Sequence, residues 1–262
     1  MFPIRDSIPS NSVSFVNYAI LAICSFAFFS QLSGKAEGQL LVEQYGMVPV
    51  RFTRPAEAAV MKVKEAIQTP MGVMVREREH QLAPAALPTW LTLVTCMFLH
   101  GGWMHFLGNM WFLFIFGDNV EDRFGHLGYI VLYLGTGIIA GLSHLVTNAF
   151  SPVPTIGASG AIAGVMGAYL VLYPHSKVQA FIPPLFMFVL PAPIFLGVWF
   201  MMQTVSGVSA MGASVATGVA WWAHIGGFVA GVVLAAGIRI SSFGRPEVTA
   251  HKSFIDDGPG LL

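Results

Sequence analysis

Gly157-Ala158-Ser159-Gly160-Ala-Ile-Ala-Gly164-Val-Met-Gly-Ala168-Tyr-Leu-Val-Leu-Tyr173 passes from a glycine-flanked serine directly into an unbroken apolar run. Its small residues recur at four-residue intervals, Gly160 to Gly164 and Gly164 to Ala168, the spacing by which membrane helices approach one another closely. Upstream, Ser151-Pro-Val-Pro-Thr-Ile-Gly-Ala158 carries two prolines and cannot be regular helix. Irregular backbone at membrane depth is tolerated only where protein buries it or water reaches it. The stretch therefore predicts a loop that dips into a bilayer and delivers Ser159, beside water, to the start of a helix.

The rest of the chain has the composition of a membrane protein. Of 262 residues, 55% are apolar and only 10% charged, and the mean hydropathy is +0.69. Windows of roughly 20 apolar residues suffice to cross a bilayer, and six are expected at about 13–32, 103–117, 127–149, 159–173, 185–205 and 219–238. The fold class expected is an all-α, six-helix membrane bundle forming one domain over residues 1–262. The second and fourth windows are short for a full crossing, so those helices start inside the bilayer or outrun their apolar window. No small-residue cleavage site follows the first window, which is read as a retained helix.

Arg5, Arg123, Lys177, Arg239, Arg245 and Lys252 all fall on one side of such a bundle, whereas the short connections opposite, about 150–157 and 206–218, carry no Lys or Arg. The positive-inside rule then places both termini, including the tail 239–262, in the cytoplasm. The long loop 33–102 lies outside; its seven basic and six acidic residues do not bear on orientation, because long loops translocate regardless of charge. Within it, Pro55 opens a stretch with Ala59, Val60, Val63 and Ile67 at helical spacing, read as an amphipathic helix lying on the interface or packed on the rest of the loop. Zero net charge with no basic run argues against nucleic-acid binding. Cys24 and Cys96 lie in apolar surroundings and indicate neither a disulfide framework nor a metal site.

Polar side chains in hydrocarbon are functional candidates by default. If the fourth helix leaves the bilayer near Tyr173-Pro174, Ser159 sits about 14 residues, roughly 21 Å, above that face, or about 9 Å below the outer surface of a core about 30 Å thick. His224, in Ala220-Trp-Trp-Ala-His-Ile-Gly-Gly-Phe-Val-Ala-Gly231, is about five residues into the last helix, roughly 8 Å down. A nucleophile and a base at one level are the chemistry this suggests. The unpaired N–H groups of the helix start at Ser159 could hold an oxyanion, but they could equally make Ser159 an N-cap. In Phe98-Leu-His100-Gly-Gly-Trp-Met-His105-Phe-Leu-Gly-Asn109, His105 and Asn109 share a helix face and are either oxyanion donors or interhelical polar contacts. His100 and His144 are read as structural. A fifth helix containing Pro191 and Pro193 is expected to bend, and Ser206–Gly218 is small-residue-rich enough to act as a lid.

Taken in order, His100-x4-His105-x3-Asn109, Glu121-x-Arg123-x-Gly125, Gly157-x-Ser159-Gly160 and Ala223-His224-x-x-Gly227-x-x-x-Gly231 resemble the rhomboid intramembrane serine proteases over about residues 88–240. The resemblance implies a Ser–His dyad without a carboxylate, cleaving in or near other proteins' membrane helices. Ser159 would be the nucleophile and His224 the base and later the acid. His105, Asn109 and the Ser159 backbone N–H would stabilise the oxyanion, with His100, Gly157 and Gly160 supporting the site. It implies no cofactor and no metal, single-pass membrane-protein substrates, and a bacterial-type cell membrane as the location. Members often carry an aromatic residue where Ala163 stands and a Trp-Arg pair where this chain has Trp90-Leu91. A catalytically silent relative that binds or escorts membrane helices is the alternative. A transporter or channel would want ionisable groups through both halves of the membrane, and here they cluster in the outer half.

Overall fold

The computed structural model describes residues 2–69, 72–182, 186–211 and 219–240. In chain order they form β1 (Phe2–Asp6), α1 (Phe15–Gln31), α2 (Lys35–Tyr45), β2 (Val60–Thr69), β3 (Gly72–Gln81), α3 (Trp103–Thr147), α4 (Ser159–Leu172), β4 (Lys177–Ile182), β5 (Phe186–Pro191), α5 (Ala192–Met211) and α6 (Trp221–Ile240). Short helical turns lie between α2 and β2 and before α3. Three helices, Trp103–Thr147, Ala192–Ala210 and Trp221–Ile238, are long and apolar enough to span a membrane, and Phe15–Gln31 and Ser159–Leu172 are shorter apolar helices.

The molecule is organised around α4. Gly160 through Tyr169, together with Leu172, are all buried, as expected of a helix that is apolar on every face. Its glycines set how near the neighbours come. A Cβ on Gly160 would stand 2.6 Å from the Ala140 Cβ of α3, while Gly227 and Gly231 of α6 lie against the carbonyls of Gly160 and Gly164, too close for any side chain. The small-residue spacing seen in the sequence thus locks α6 onto α4, which matters because one carries His224 and the other Ser159.

The second and third expected helices appear as one element, α3, broken at Gly125, whose φ of 72° and ψ of 164° belong to a region essentially closed to other residues. The arm before the break outruns the apolar window and continues through Asp118–Arg123. Two carboxylates there tie down the N-terminal segment: Glu121 accepts from the N–H groups of Val16 (3.0 Å) and Asn17 (2.7 Å), capping the start of α1. Asp122 accepts from the Asn11 side chain at 3.1 Å and from Ser12. The Glu-x-Arg-x-Gly stretch therefore staples the N-terminal segment to the bundle. Since a Cβ at Gly125 would meet nothing, Gly125→Ala isolates backbone strain. It should lower stability by about 1–3 kcal/mol, read as an earlier unfolding midpoint in micelles; an unchanged midpoint would show that the break relaxes.

Three expectations are corrected. The fold is mostly helical but not all-α, since β1, β4 and β5 form an antiparallel sheet in the order β1-β4-β5. β4 alternates, with Val178 and Ala180 fully buried, as a half-covered strand does. Second, the window at 185–205 is a strand followed by a helix. Pro191 closes β5, and Pro193 falls in the first turn of α5, where its missing N–H costs nothing, so neither bends a helix. Third, the loop helix expected after Pro55 is a β-hairpin, paired from Val60↔Gln81 to Thr69↔Gly72. Its base is fixed to α2, because Glu43 accepts from Ala83 N–H (2.8 Å) and contacts His80 Nε2 (2.7 Å), and Ala59 and Leu82 pack in a small core with Val48. The first part of the lid segment, through Met211, is the end of α5; the remainder, 212–218, lies outside the described residues, as does the tail from 241.

Asp6, at the end of β1, accepts from Asn119 Nδ2 (2.8 Å) and Tyr169 Oη. Burial, reinforced by Asp118, pushes its carboxyl up to about 7 against the opposing Tyr169 hydrogen bond. The folded protein then holds a proton that the unfolded chain releases near its ordinary value of 3.8. The folded state binds more protons across that window, so stability falls as pH rises from about 4 to about 7. Asp6→Asn should flatten that part of the pH–stability curve; an unaltered slope would assign it to another group.

Candidate active site

The loop that delivers Ser159 makes its backbone hydrogen bonds to protein. Met47 and Thr155 exchange both N–H bonds (3.1 and 2.7 Å), Val50 N–H donates to Ser151 O (3.0 Å), and Gly157 N–H donates to Cys96 O (2.9 Å). This satisfies polar backbone that has left helical geometry. It also sets Gly157, with φ of 128°, directly before α4.

Ser159 is the first residue of α4, and Ala158 holds the capping position with no side-chain cap. The N-cap alternative for Ser159 is thereby removed. Its Oγ instead lies 2.7 Å from Nε2 of His224 in the first turn of α6. Both side chains are half-buried. On the other ring nitrogen, Nδ1 lies 2.8 Å from Oε1 of Gln203, a buried residue of α5. Trp199, one turn earlier on α5, stands 6.0 Å from the His224 ring at 37°, and Trp221 meets it edge-on at 6.2 Å. Ala163, fully buried one turn after Ser159, leaves the indole of Trp199 as a ring neighbour supplied from a different helix.

His105 flanks the serine from α3. A Cβ on Gly157 would sit 2.7 Å from His105 Cε1 and Nε2 and 3.6 Å from Ser159 Oγ, so Gly157 is required both for its backbone angles and for the space His105 occupies. Gly101 N–H donates to His105 Nδ1 at 3.3 Å. An imidazole accepting at Nδ1 carries its proton at Nε2 when neutral, so the nitrogen beside Gly157 is a donor. Asn109, one turn further along that face, is buried, and its Nδ2 has no partner among the described residues. His100 is buried with neither ring nitrogen partnered among the described residues and packs edge-on against Phe28, Phe106 and His105. Its backbone is held by Gln31, which both donates to His100 O and accepts from His100 N–H at 3.0 Å. His100 thus braces His105. His144 Nδ1 meets Asn148 Nδ2 at 3.4 Å, just past the end of α3.

The structure brings Ser159, His224, His105 and Gly157 together. Gly160 joins them as the contact that seats α4 against α3 and α6. What the sequence reading missed is Gln203. Its signal was present: a primary amide directly after the apolar run Phe195–Met202, where a polar side chain is costly unless it has a partner.

A bundle of apolar helices holding a hydrogen-bonded serine and histidine defines a multi-pass membrane protein. A family model described as Rhomboid domain matches residues 88–241, more than half of the chain, and the chain belongs to the rhomboid family. It is 37% identical over 83 residues to the putative rhomboid protease YdcA of Bacillus subtilis, a match covering 32% of this chain and 41% of that protein. To rhomboid-like protein 11, chloroplastic, of Arabidopsis thaliana it is 44% identical over 81 residues, 30% of this chain and 28% of the other. To the rhomboid protease GluP of Bacillus subtilis it is 40% identical over 81 residues, 31% and 15% of the two chains. The aligned stretches span less than half the length of these relatives.

Proposed function

We propose that this protein is an intramembrane serine endopeptidase that hydrolyses peptide bonds in or near the transmembrane segments of single-pass membrane proteins. The observation that carries the reading is the 2.7 Å contact between Ser159 Oγ and His224 Nε2, which is nucleophile–base distance. His224 takes the hydroxyl proton as Ser159 attacks the scissile carbonyl, then gives it to the departing amine. A water activated by the same nitrogen resolves the acyl-enzyme. The Ser159 N–H at the start of α4, His105 Nε2–H and Asn109 Nδ2–H meet the developing oxyanion. The chemistry needs no cofactor or metal.

In this reading α1, the two arms of α3, and α4, α5 and α6 are the six membrane helices. The site opens through a water-filled cavity to the extracytoplasmic side, both termini are cytoplasmic, and the protein resides in a bacterial-type cell membrane. Family membership and the protease names of the relatives support it, as does the absence of Lys and Arg from the serine-side loop 150–157.

The test is purified full-length protein in phospholipid vesicles with a fluorogenic single-pass substrate, together with a fluorophosphonate that labels activated serines. Cleavage, with covalent labelling mapped to Ser159, is the expected result. Substrate binding with neither cleavage nor labelling would reject the protease and point to the silent relative that binds or escorts membrane helices.

A further inference from the structure

We infer that Gln203 is the positioning residue of the serine–histidine pair, the neutral amide that occupies the place a carboxylate holds in a catalytic triad. This rests on the serine-protease reading. A histidine can serve as base toward Ser159 only if Nε2 has its lone pair free, which requires the neutral ring to carry its proton on Nδ1. Nothing in a lone Ser–His pair enforces that choice, since the opposite tautomer would donate to Ser159 Oγ and leave it unactivated.

Here the choice is made by Gln203. Its Oε1 faces Nδ1 at 2.8 Å, and an amide oxygen only accepts. The contact therefore requires an Nδ1 proton and presents the Nε2 lone pair to Ser159. Among the described residues the ring's hydrogen-bond partners are Gln203 and Ser159, and its ionisable neighbours are His105 and His144, so no carboxylate competes for the role. Gln203 is only 8% exposed, which keeps water from substituting for it, and Trp199 on the same helix lies against the ring. One helix, α5, thus sets both the tautomer and the plane of the imidazole. That ties the activity of the pair to the seating of α5 against α6.

The experiment compares wild type, Gln203→Leu and Gln203→Glu as full-length protein in phosphatidylethanolamine/phosphatidylglycerol vesicles. It reads kcat and KM for the single-pass substrate across pH, and the ¹⁵N shifts of His224 in histidine-labelled protein, assigned by their loss in His224→Ala. Gln203→Leu removes one hydrogen bond to the ring, so kcat should fall about tenfold with KM little changed. Its His224 should move from the pure Nδ1–H form to a mixture of tautomers. Gln203→Glu keeps the shape and adds a charge that favours imidazolium, so activity should survive at high pH while the acid limb of the profile moves up by at least about one pH unit. A Gln203→Leu protein with wild-type kcat, pH profile and tautomer overturns the assignment. If Gln203→Leu fails to fold, an acid limb unmoved in Gln203→Glu overturns it equally. If wild type itself neither cleaves nor labels, the protease reading fails, and the ¹⁵N spectra decide on their own whether Gln203 holds the tautomer.

Discussion

Ser159→Ala and His224→Ala should each lower kcat/KM by about 10⁴-fold or more, and the double variant should be no worse than either alone. The reasoning starts from the shared proton. With Oγ 2.7 Å from Nε2, the hydroxyl is nucleophilic only while the imidazole can take its proton, and the imidazole contributes only through that hydroxyl. Two groups that act as one unit give non-additive losses. Residual rate then comes from substrate positioning and the oxyanion donors, which both variants keep. Ser159 caps nothing, and the close approach of α4 to α6 is set by Gly160, Gly227 and Gly231 rather than by either side chain. Thermal unfolding of Ser159→Ala should therefore sit near wild type, separating lost chemistry from lost structure, while His224→Ala also loses the hydrogen bond to buried Gln203 and should unfold somewhat earlier. Losses that multiply in the double variant, or a single variant retaining more than about a hundredth of the activity, would mean that serine and histidine act independently.

The apolar helices were legible because a bilayer imposes a coarse rule, about 20 apolar residues per crossing, and because the glycine spacing of 160–168 reports helix contact directly. The parts that were not legible depend on partners far away in sequence. Asp118–Arg123 lies beyond the apolar window that ends at 117, yet it stays helical because Glu121 and Asp122 are engaged by residues 11–17, more than 100 positions earlier. Phe186–Pro191 reads as the first turns of a membrane helix, and only pairing with β4 makes it a strand. The stretch after Pro55 has helical spacing, but β3 supplies a complementary strand and tertiary pairing overrides a weak local preference.

The site divides in the same way. Ser159 and His224 could be set at one depth by counting residues, since rise per residue is a property of any helix. Orientation could not be counted. That Ser159 turns toward His224 rather than capping α4 follows from Gly157 and the bonds holding its loop to Met47 and Cys96. That Nδ1 of His224 meets an amide follows from where α5 begins, and α5 begins after Pro191, seven residues later than the apolar window at 185 suggests.

Asn109→Ala and His105→Ala should each reduce kcat by about 10²–10³-fold while KM changes little, the signature of donors engaged only as charge develops on the substrate oxygen. The competing role for both residues is polar adhesion between helices, and for Asn109 the two roles predict opposite stabilities. Asn109 Nδ2 is buried without a partner among the described residues. A donor left so in the resting protein is a cost that truncation relieves, so Asn109→Ala should be as stable as wild type or more so. Asn109→Asp should be the more damaging change for catalysis, because it replaces a donor by an acceptor where negative charge must form. For His105 the Gly101 N–H bond to Nδ1 fixes Nε2 as the donor, and the ring fills the space that Gly157 leaves open. Its removal should therefore cost some stability along with kcat. A destabilised Asn109→Ala protein with kcat intact would assign Asn109 to helix packing. The oxyanion would then be left to His105 and the N–H groups at the start of α4.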